Sequence, residues 1–137
     1  MSWAQSLIKL SAYEVEVIQK RLAEAVERRA AAEMKRLMLA AEGEAEAMRA
    51  GDDVHSGWSY VGYAQGLRRR KADADAEIAR LLAEEQGVRD ALALAFESQK
   101  KYEHVAESAR LLERRETARR ETAAMDELGL RRAAARR

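Results

Sequence analysis

Residues 15–48, VEVIQKRLAEAVERRAAAEMKRLMLAAEGEAEAM, decide the fold of this chain. Apolar side chains recur in this stretch every three or four residues, which is the spacing of one face of an α-helix. The stripe with this spacing consists of Ile8, Ala12, Val15, Ile18, Leu22, Val26, Ala30, Met34, Leu37, Ala41, Ala45 and Met48. Within it, Val15, Val26, Leu37 and Met48 follow one another at intervals of 11 residues. An 11-residue period keeps a stripe on one face of a nearly straight helix. The stretch therefore predicts one long helix with this stripe as its packing face.

The flanking residues set the predicted bounds of two helices. Ser2 followed by Gln5 fits a capping box at a helix start, and the run Gly51-Asp52-Asp53 ends the first pattern. A second apolar stripe follows at heptad spacing, interrupted by Glu85 and Gln99. Its members are Leu67, Ala74, Ile78, Leu81, Val88, Leu92, Ala95, Tyr102, Ala106 and Ala109. We predict helices over 3–50 and 59–128, a bend over 51–58 and a frayed basic tail over 129–137.

Two long helices joined by a short bend must lie antiparallel. The sequence therefore predicts an all-α fold, a single antiparallel coiled-coil hairpin spanning 1–137 with the second helix longer. The second helix overshoots the first by roughly 20 residues, about 30 Å at the α-helical rise. Its last turns then lack a partner within the chain, and so narrow a core predicts that another molecule covers part of the protein.

The composition excludes most kinds of catalytic and metal-binding site. The 137 residues include no Cys and no Pro, 36% are charged, and the net charge is +1. The lack of Cys removes disulfides, thiolate nucleophiles and iron–sulfur sites, and a two-helix hairpin offers no concave active site. His55 and His104 have no second metal ligand four positions away on the same helical face. We therefore expect no enzyme activity, no metal, no cofactor and no small-molecule substrate, in a soluble cytoplasmic protein without a membrane span.

Three features leave alternatives open. Trp58, Tyr60, Tyr63 and Leu67 lie within ten residues of the predicted bend, where they either cap the hairpin or form a contact site for a partner protein. Basic residues at 68–71 and in the C-terminal 28 residues are either solvated helix faces or a surface for nucleic acid or membrane. The small net charge argues against nucleic acid. A self-associating coiled coil, with its apolar stripe completed by another copy, is a further alternative.

In order along the chain, three sets of residues resemble the FliJ family of flagellar export proteins. They are Leu7, Leu10 and Glu14 near the start; Trp58, Tyr60, Tyr63 and Leu67 at the bend; and Met125, Asp126, Glu127 and Leu128 near the end. Similar stalk proteins serve virulence-type secretion systems, which remain an alternative.

The resemblance implies a stalk-like antiparallel coiled coil in type III protein export, with a role in flagellum biogenesis, motility and chemotaxis. It implies that the paired chain ends enter and promote the ring of the export ATPase, acting with the ATPase regulator, through Leu7, Leu10, Glu14, Met125, Asp126 and Glu127. It further implies that Trp58, Tyr60, Tyr63 and Leu67 bind the export gate protein FlhA, at the inner membrane beneath the flagellum. Export chaperones are additional implied partners, and nucleic acid is not.

Overall fold

The computed structural model describes residues 2–51 and 54–136, except for the side chains of residues 54–57. Helix α1 spans Trp3–Gly51 and helix α2 spans Val54–Ala135. The described residues contain no strand. The predicted all-α class with a longer second helix is therefore confirmed. No helix among these residues is long and apolar enough to cross a membrane.

The start of α1 is the predicted capping box. The Gln5 backbone N–H donates to Ser2 Oγ at 3.3 Å, and the Ser2 backbone N–H donates to Gln5 Oε1 at 3.2 Å. The two residues thus satisfy each other's free groups at the helix end.

Helix α2 is longer at both ends than the sequence pattern predicts. It begins at Val54, inside the predicted bend over 51–58, and it runs to Ala135 through most of the predicted tail over 129–137. At the C-terminal end the reason is composition, because Ala, Arg and Leu are strong helix formers and no Pro interrupts them. None of the described residues has positive φ, so nothing in the backbone ends the helix earlier. Asp52 and Asp53 lie outside the described residues.

The chain divides into two compact units, Met1–Val15 with Leu94–Arg137, and Glu16–Ala93. We refer to them as the terminal unit and the central unit. The description of residues 1–137 as a single hairpin domain stays a prediction.

In the central unit, α1 and α2 pack antiparallel. Arg29 pairs with Glu85, Arg36 pairs with Asp75, and Gly43 lies against Leu67, so the partner's number falls as the α1 number rises. The Cβ atom of any other residue at Gly43 would overlap Cδ2 of Leu67 and lie 3.5 Å from its Cγ. Leu67 is buried, at 5% exposure. The missing side chain of Gly43 therefore makes the space that Leu67 fills.

The predicted packing face of α1 is correct at Ile18, Leu22 and Val26, which are half-buried, and wrong from Ala30 onward, where its members are exposed. Leu37 and Met48, for example, are mostly exposed. The face that packs is a heptad stripe of buried and half-buried residues, namely Ile18, Leu22, Ala25, Arg29, Ala32, Arg36, Leu39 and Gly43. Two arginines belong to this stripe, so a search for apolar residues followed the neighbouring face instead.

The heptad stripe predicted for α2 is confirmed. Its ten apolar members are all buried or half-buried, and so are Glu85 and Gln99, the two predicted polar interruptions. Glu85 is 4% exposed and accepts hydrogen bonds from Arg29 on α1 and from Arg89 one turn along α2. Arg29 also donates to Glu33 at 3.2 Å. A buried carboxylate is tolerated here because two guanidinium groups neutralise it.

The terminal unit has a core of small residues. Ser11, Val15 and Ala106 are buried, and the Ser11 hydroxyl donates to the Ile8 carbonyl at 2.9 Å. An open groove lies between the helices. It is lined on α1 by Ser2, Trp3, Ala4, Gln5 and Ile8, and on α2 by Ala106, Ala109, Arg110 and Glu113. Beyond this groove α2 continues to Ala135, and residues 114–136 are exposed except for the half-buried Glu116. The predicted unpartnered end of the second helix is therefore present in this unit.

Candidate protein-interaction surfaces

The aromatic residues at the start of α2 do not form a closed cap. Trp58 is 82% exposed, whereas Tyr60 and Tyr63 are half-buried. The two tyrosine rings lie one helical turn apart with their centroids 6.1 Å apart and a tilt of 35°. This spacing is that of a favourable aromatic pair. The geometry leaves an exposed indole beside a pair of tyrosines that hold each other in place.

The Tyr63 ring has contacts on more than one side. The Arg70 guanidinium lies 5.6 Å from its ring centroid, within cation–π range. Its hydroxyl is buried and has no hydrogen-bond partner in the described part of the chain. Leu67, the fourth residue of the predicted set, packs between the helices against Gly43. The structure thus assigns Leu67 to the support of the surface, while Trp58 offers the largest exposed area.

The predicted residues near the two chain ends belong to the terminal unit. Leu10 and Glu14 are exposed on α1, and Leu7 is half-buried. Met125, Asp126 and Glu127 are exposed on α2, and Arg131 pairs with Glu127 at 3.0 Å. Met125 lies about a dozen residues, or about 18 Å of helix, beyond Glu113, the last α2 residue that lines the groove. The α1 set and the α2 set therefore belong to the same unit, but they lie at different heights along the axis of α2.

The C-terminal part of α2 carries exposed apolar groups among its charges. Leu112, Met125, Leu128 and Leu130 are all exposed large side chains. Arg119 and Arg120 both contact Glu116, at 3.1 and 3.7 Å. A helix of this composition without a packing partner is only marginally stable in water. The segment has the character of a binding helix that gains stability when a partner covers it.

The basic run at 68–71 lies on the surface of the central unit. Arg68, Arg69 and Arg70 are exposed, and Lys71 is half-buried. Among the described residues, no group of three or more His, Asp or Glu side chains could hold a metal ion. The side chain of His55 lies outside the described part.

Sequence reasoning missed a surface on α1, which we name the outer stripe. It consists of the apolar residues on the side of α1 opposite its packed heptad, between positions 30 and 48: Ala30, Ala31, Met34, Leu37, Met38, Ala41, Ala45 and Met48. The predicted apolar face of α1 contains six of these eight residues; Ala31 and Met38 were not part of it. The error was to treat that face as the one against α2.

In the central unit, Glu85 is the carboxylate whose pKa is shifted by ion pairs with arginines of both helices. The hydrogen bonds from Arg29 and then Arg89 hold the pKa of the Glu85 carboxyl below its usual range. The same contact raises the pKa of Arg29 further above its already high value. Both groups are therefore charged at neutral pH. They act in helix pairing and not in proton transfer.

Comparisons with known proteins identify the family of this chain. The family model described as "Flagellar FliJ protein" matches residues 4–137. Two curated relatives with the name "Flagellar FliJ protein", from Caulobacter vibrioides strains NA1000 and CB 15, are each 54% identical over 132 residues. The match covers 96% of this chain and 95% of each relative. No solved structure matches significantly. The chain therefore belongs to the flagellar FliJ protein family, and it is a non-enzymatic component of flagellar protein export.

Proposed function

We propose that this protein is the stalk-like coiled coil of the flagellar export machinery, which inserts into the export ATPase ring and connects it to the gate protein FlhA. The observation that carries the proposal is the helical segment 114–136, which continues α2 past its packing partner and is exposed nearly throughout. Such a segment has apolar groups to bury and no place for them in its own unit. A ring pore would supply that place.

In this proposal the terminal unit binds the ATPase ring and its regulator. Leu7, Leu10 and Glu14 contact the ring near the start of α1, and Met125, Asp126 and Glu127 contact it further along α2. Exposed apolar and charged side chains alternate over both regions, as expected of a helix held in a pore with mixed lining. Escort of export chaperones is part of the same proposal.

Removing apolar contact from the free end of α2 should impair ring binding. We expect Met125→Ala with Leu128→Ala to reduce stimulation of the cognate ATPase by about tenfold, since two exposed anchors lose their contact area. Steady-state ATP hydrolysis at several protein ratios measures this effect.

The matched control is Leu82→Ala with Leu94→Ala. These leucines are exposed to 46% and 64%, against 47% for Leu128 and 68% for Met125. The control should stimulate the ATPase like the original protein. Full stimulation by the Met125 and Leu128 variant would contradict the proposed insertion.

The gate contact is assigned to the aromatic surface of the central unit. Trp58, Tyr60 and Tyr63 supply exposed and half-buried rings, and Leu67 holds α2 against α1 beneath them. Rings fixed on a helix make large contacts with little loss of side-chain entropy. Binding to FlhA would also bring the protein to the inner membrane.

Removing the exposed indole should weaken gate binding strongly. We expect Trp58→Ala to lower the affinity for the cytoplasmic part of FlhA by about 30-fold, the effect of a hot-spot residue. Trp3→Ala is the control, because Trp3 is the other tryptophan and is also exposed. Isothermal titration calorimetry compares the two. Equal affinities for both variants would remove Trp58 from the site.

A further inference from the structure

The side chains packed inside the terminal unit are mostly small. Twelve residues between positions 4 and 15 and between positions 95 and 109 are buried or half-buried. Seven of the twelve are alanine or serine, namely Ala4, Ser11, Ala12, Ala95, Ser98, Ala106 and Ala109. The large apolar side chains in or next to these segments are instead between 40% and 64% exposed, namely Trp3, Leu10, Tyr13, Leu94, Phe96 and Val105. The unit therefore buries little apolar area for its length.

The central unit packs larger side chains and also joins its helices by charges. Its buried and half-buried apolar residues include Ile18, Leu22, Leu39, Leu67, Ile78, Leu81, Val88 and Leu92. Arg29 and Arg36 on α1 pair with carboxylates on α2. In the described part of the terminal unit, every ion pair joins residues three or four positions apart on α2. No ion pair there holds α1 against α2.

From this contrast we infer that residues 3–15 of α1 form a releasable strap, which undocks from α2 as one unit while the central unit stays paired. Regions with few buried apolar contacts open at a lower free energy than the rest of a fold. The strap keeps its own hydrogen bonds when it undocks. The Ser11 hydroxyl donates to the Ile8 carbonyl, and Ser2 and Gln5 cap each other, so these bonds all lie within the start of α1.

Undocking changes how much of α2 is free. With the strap docked, the exposed end of α2 is the segment 114–136. With the strap released, α2 has no partner within its unit from Leu94 to Ala135, a length of about 63 Å at the α-helical rise. The strap thus controls the length of helix that is available to a binding partner. Its release follows from packing alone, whether or not the free end of α2 enters a ring.

Thiol labelling of two matched variants tests the inference. The chain has no cysteine of its own, and Ser11 and Ala25 are small α1 residues with exposures of only 1% and 2%. With an aromatic disulfide reagent under native conditions, Ser11→Cys should react at least about 100-fold faster than Ala25→Cys, because only position 11 opens without the central unit. Circular dichroism checks that both variants keep their helix content. Equal rates, or faster labelling of Ala25→Cys, would overturn the inference.

Denaturant dependence separates undocking from simple fraying of the helix end. Undocking exposes packed surface, so the labelling of Ser11→Cys should accelerate with urea at concentrations below the global unfolding transition. Fraying exposes little new surface and responds weakly to urea. A labelling rate that stays constant until global unfolding would therefore contradict the undocking of residues 3–15 as one unit.

A change on α2 should close the strap more firmly. Gln99 is a half-buried polar residue in the packed stripe of α2. Adding Gln99→Leu to the Ser11→Cys variant should slow labelling by about tenfold, because it adds apolar contact with the strap. Lys100→Leu is the control, since Lys100 is the next residue of the same helix and is exposed. Equal labelling rates with either leucine would show that the stripe does not hold the strap.

Discussion

Gly43→Leu should destabilise the central unit by about 1–3 kcal/mol, the usual effect of overpacking. Leu67 already fills the space at Gly43, and even one Cβ atom there would overlap its side chain. A leucine adds three more carbon atoms in the same place. Thermal unfolding followed by circular dichroism measures the loss.

The reciprocal variant makes this prediction specific. Leu67→Ala alone should cost about 2–5 kcal/mol, because it leaves a cavity against Gly43. Combining Gly43→Leu with Leu67→Ala returns one large and one small residue to the same layer, so the double variant should be more stable than Gly43→Leu alone. Additive losses in the double variant would show that the two residues do not share a site.

A glycine outside the packed face provides the control. An added Cβ atom at Gly87 meets nothing within 4 Å. Gly87→Ala should therefore stabilise α2 by up to about 1 kcal/mol through helix propensity alone. A loss of stability at Gly87 would mean that helix propensity does not govern the open positions.

The second large effect is acid unfolding governed by Glu85. Its pKa is lowered in the folded protein by the hydrogen bond from Arg29 and then by that from Arg89. A lowered folded pKa means that the stabilisation is fully present above the unfolded value, about pH 4.3, and is lost as the pH falls through the folded value. The melting temperature should therefore fall steeply below about pH 4.

Glu85→Gln should remove most of this dependence. At pH 7 its melting temperature should be several times further below the original than that of Glu97→Gln, because two arginines lose their buried counter-charge. Glu97 is the control, an exposed glutamate that contacts only Lys101, at 3.7 Å. Melting curves from pH 2 to 7 compare the three proteins. An acid profile of Glu85→Gln as steep as the original would assign the transition to other carboxylates.

The candidate surfaces could be predicted only in part. The sequence identifies Trp58, Tyr60 and Tyr63 because aromatic residues are rare in this chain. It does not distinguish Leu67 from them, since a leucine next to an aromatic run looks the same whether it is exposed or packed. The structure separates them, with Trp58 in solvent and Leu67 against Gly43.

By itself the sequence determined the helical class, the capping box at Ser2 and Gln5, and the packed stripe of α2 except for Lys71, because each follows from the spacing of residues within a few positions of one another. Only the tertiary structure decided which face of α1 packs. Arg29 and Arg36 can lie in a packed stripe because Glu85 and Asp75 come to them from the other helix. A search for apolar residues does not detect these arginines as packed residues, because the carboxylates that neutralise them lie 39 positions away for Arg36 and 56 positions away for Arg29. The outer stripe could be recognised in the sequence as one face of a helix. That it is exposed follows only from the structure, because the opposite face of α1 packs against α2.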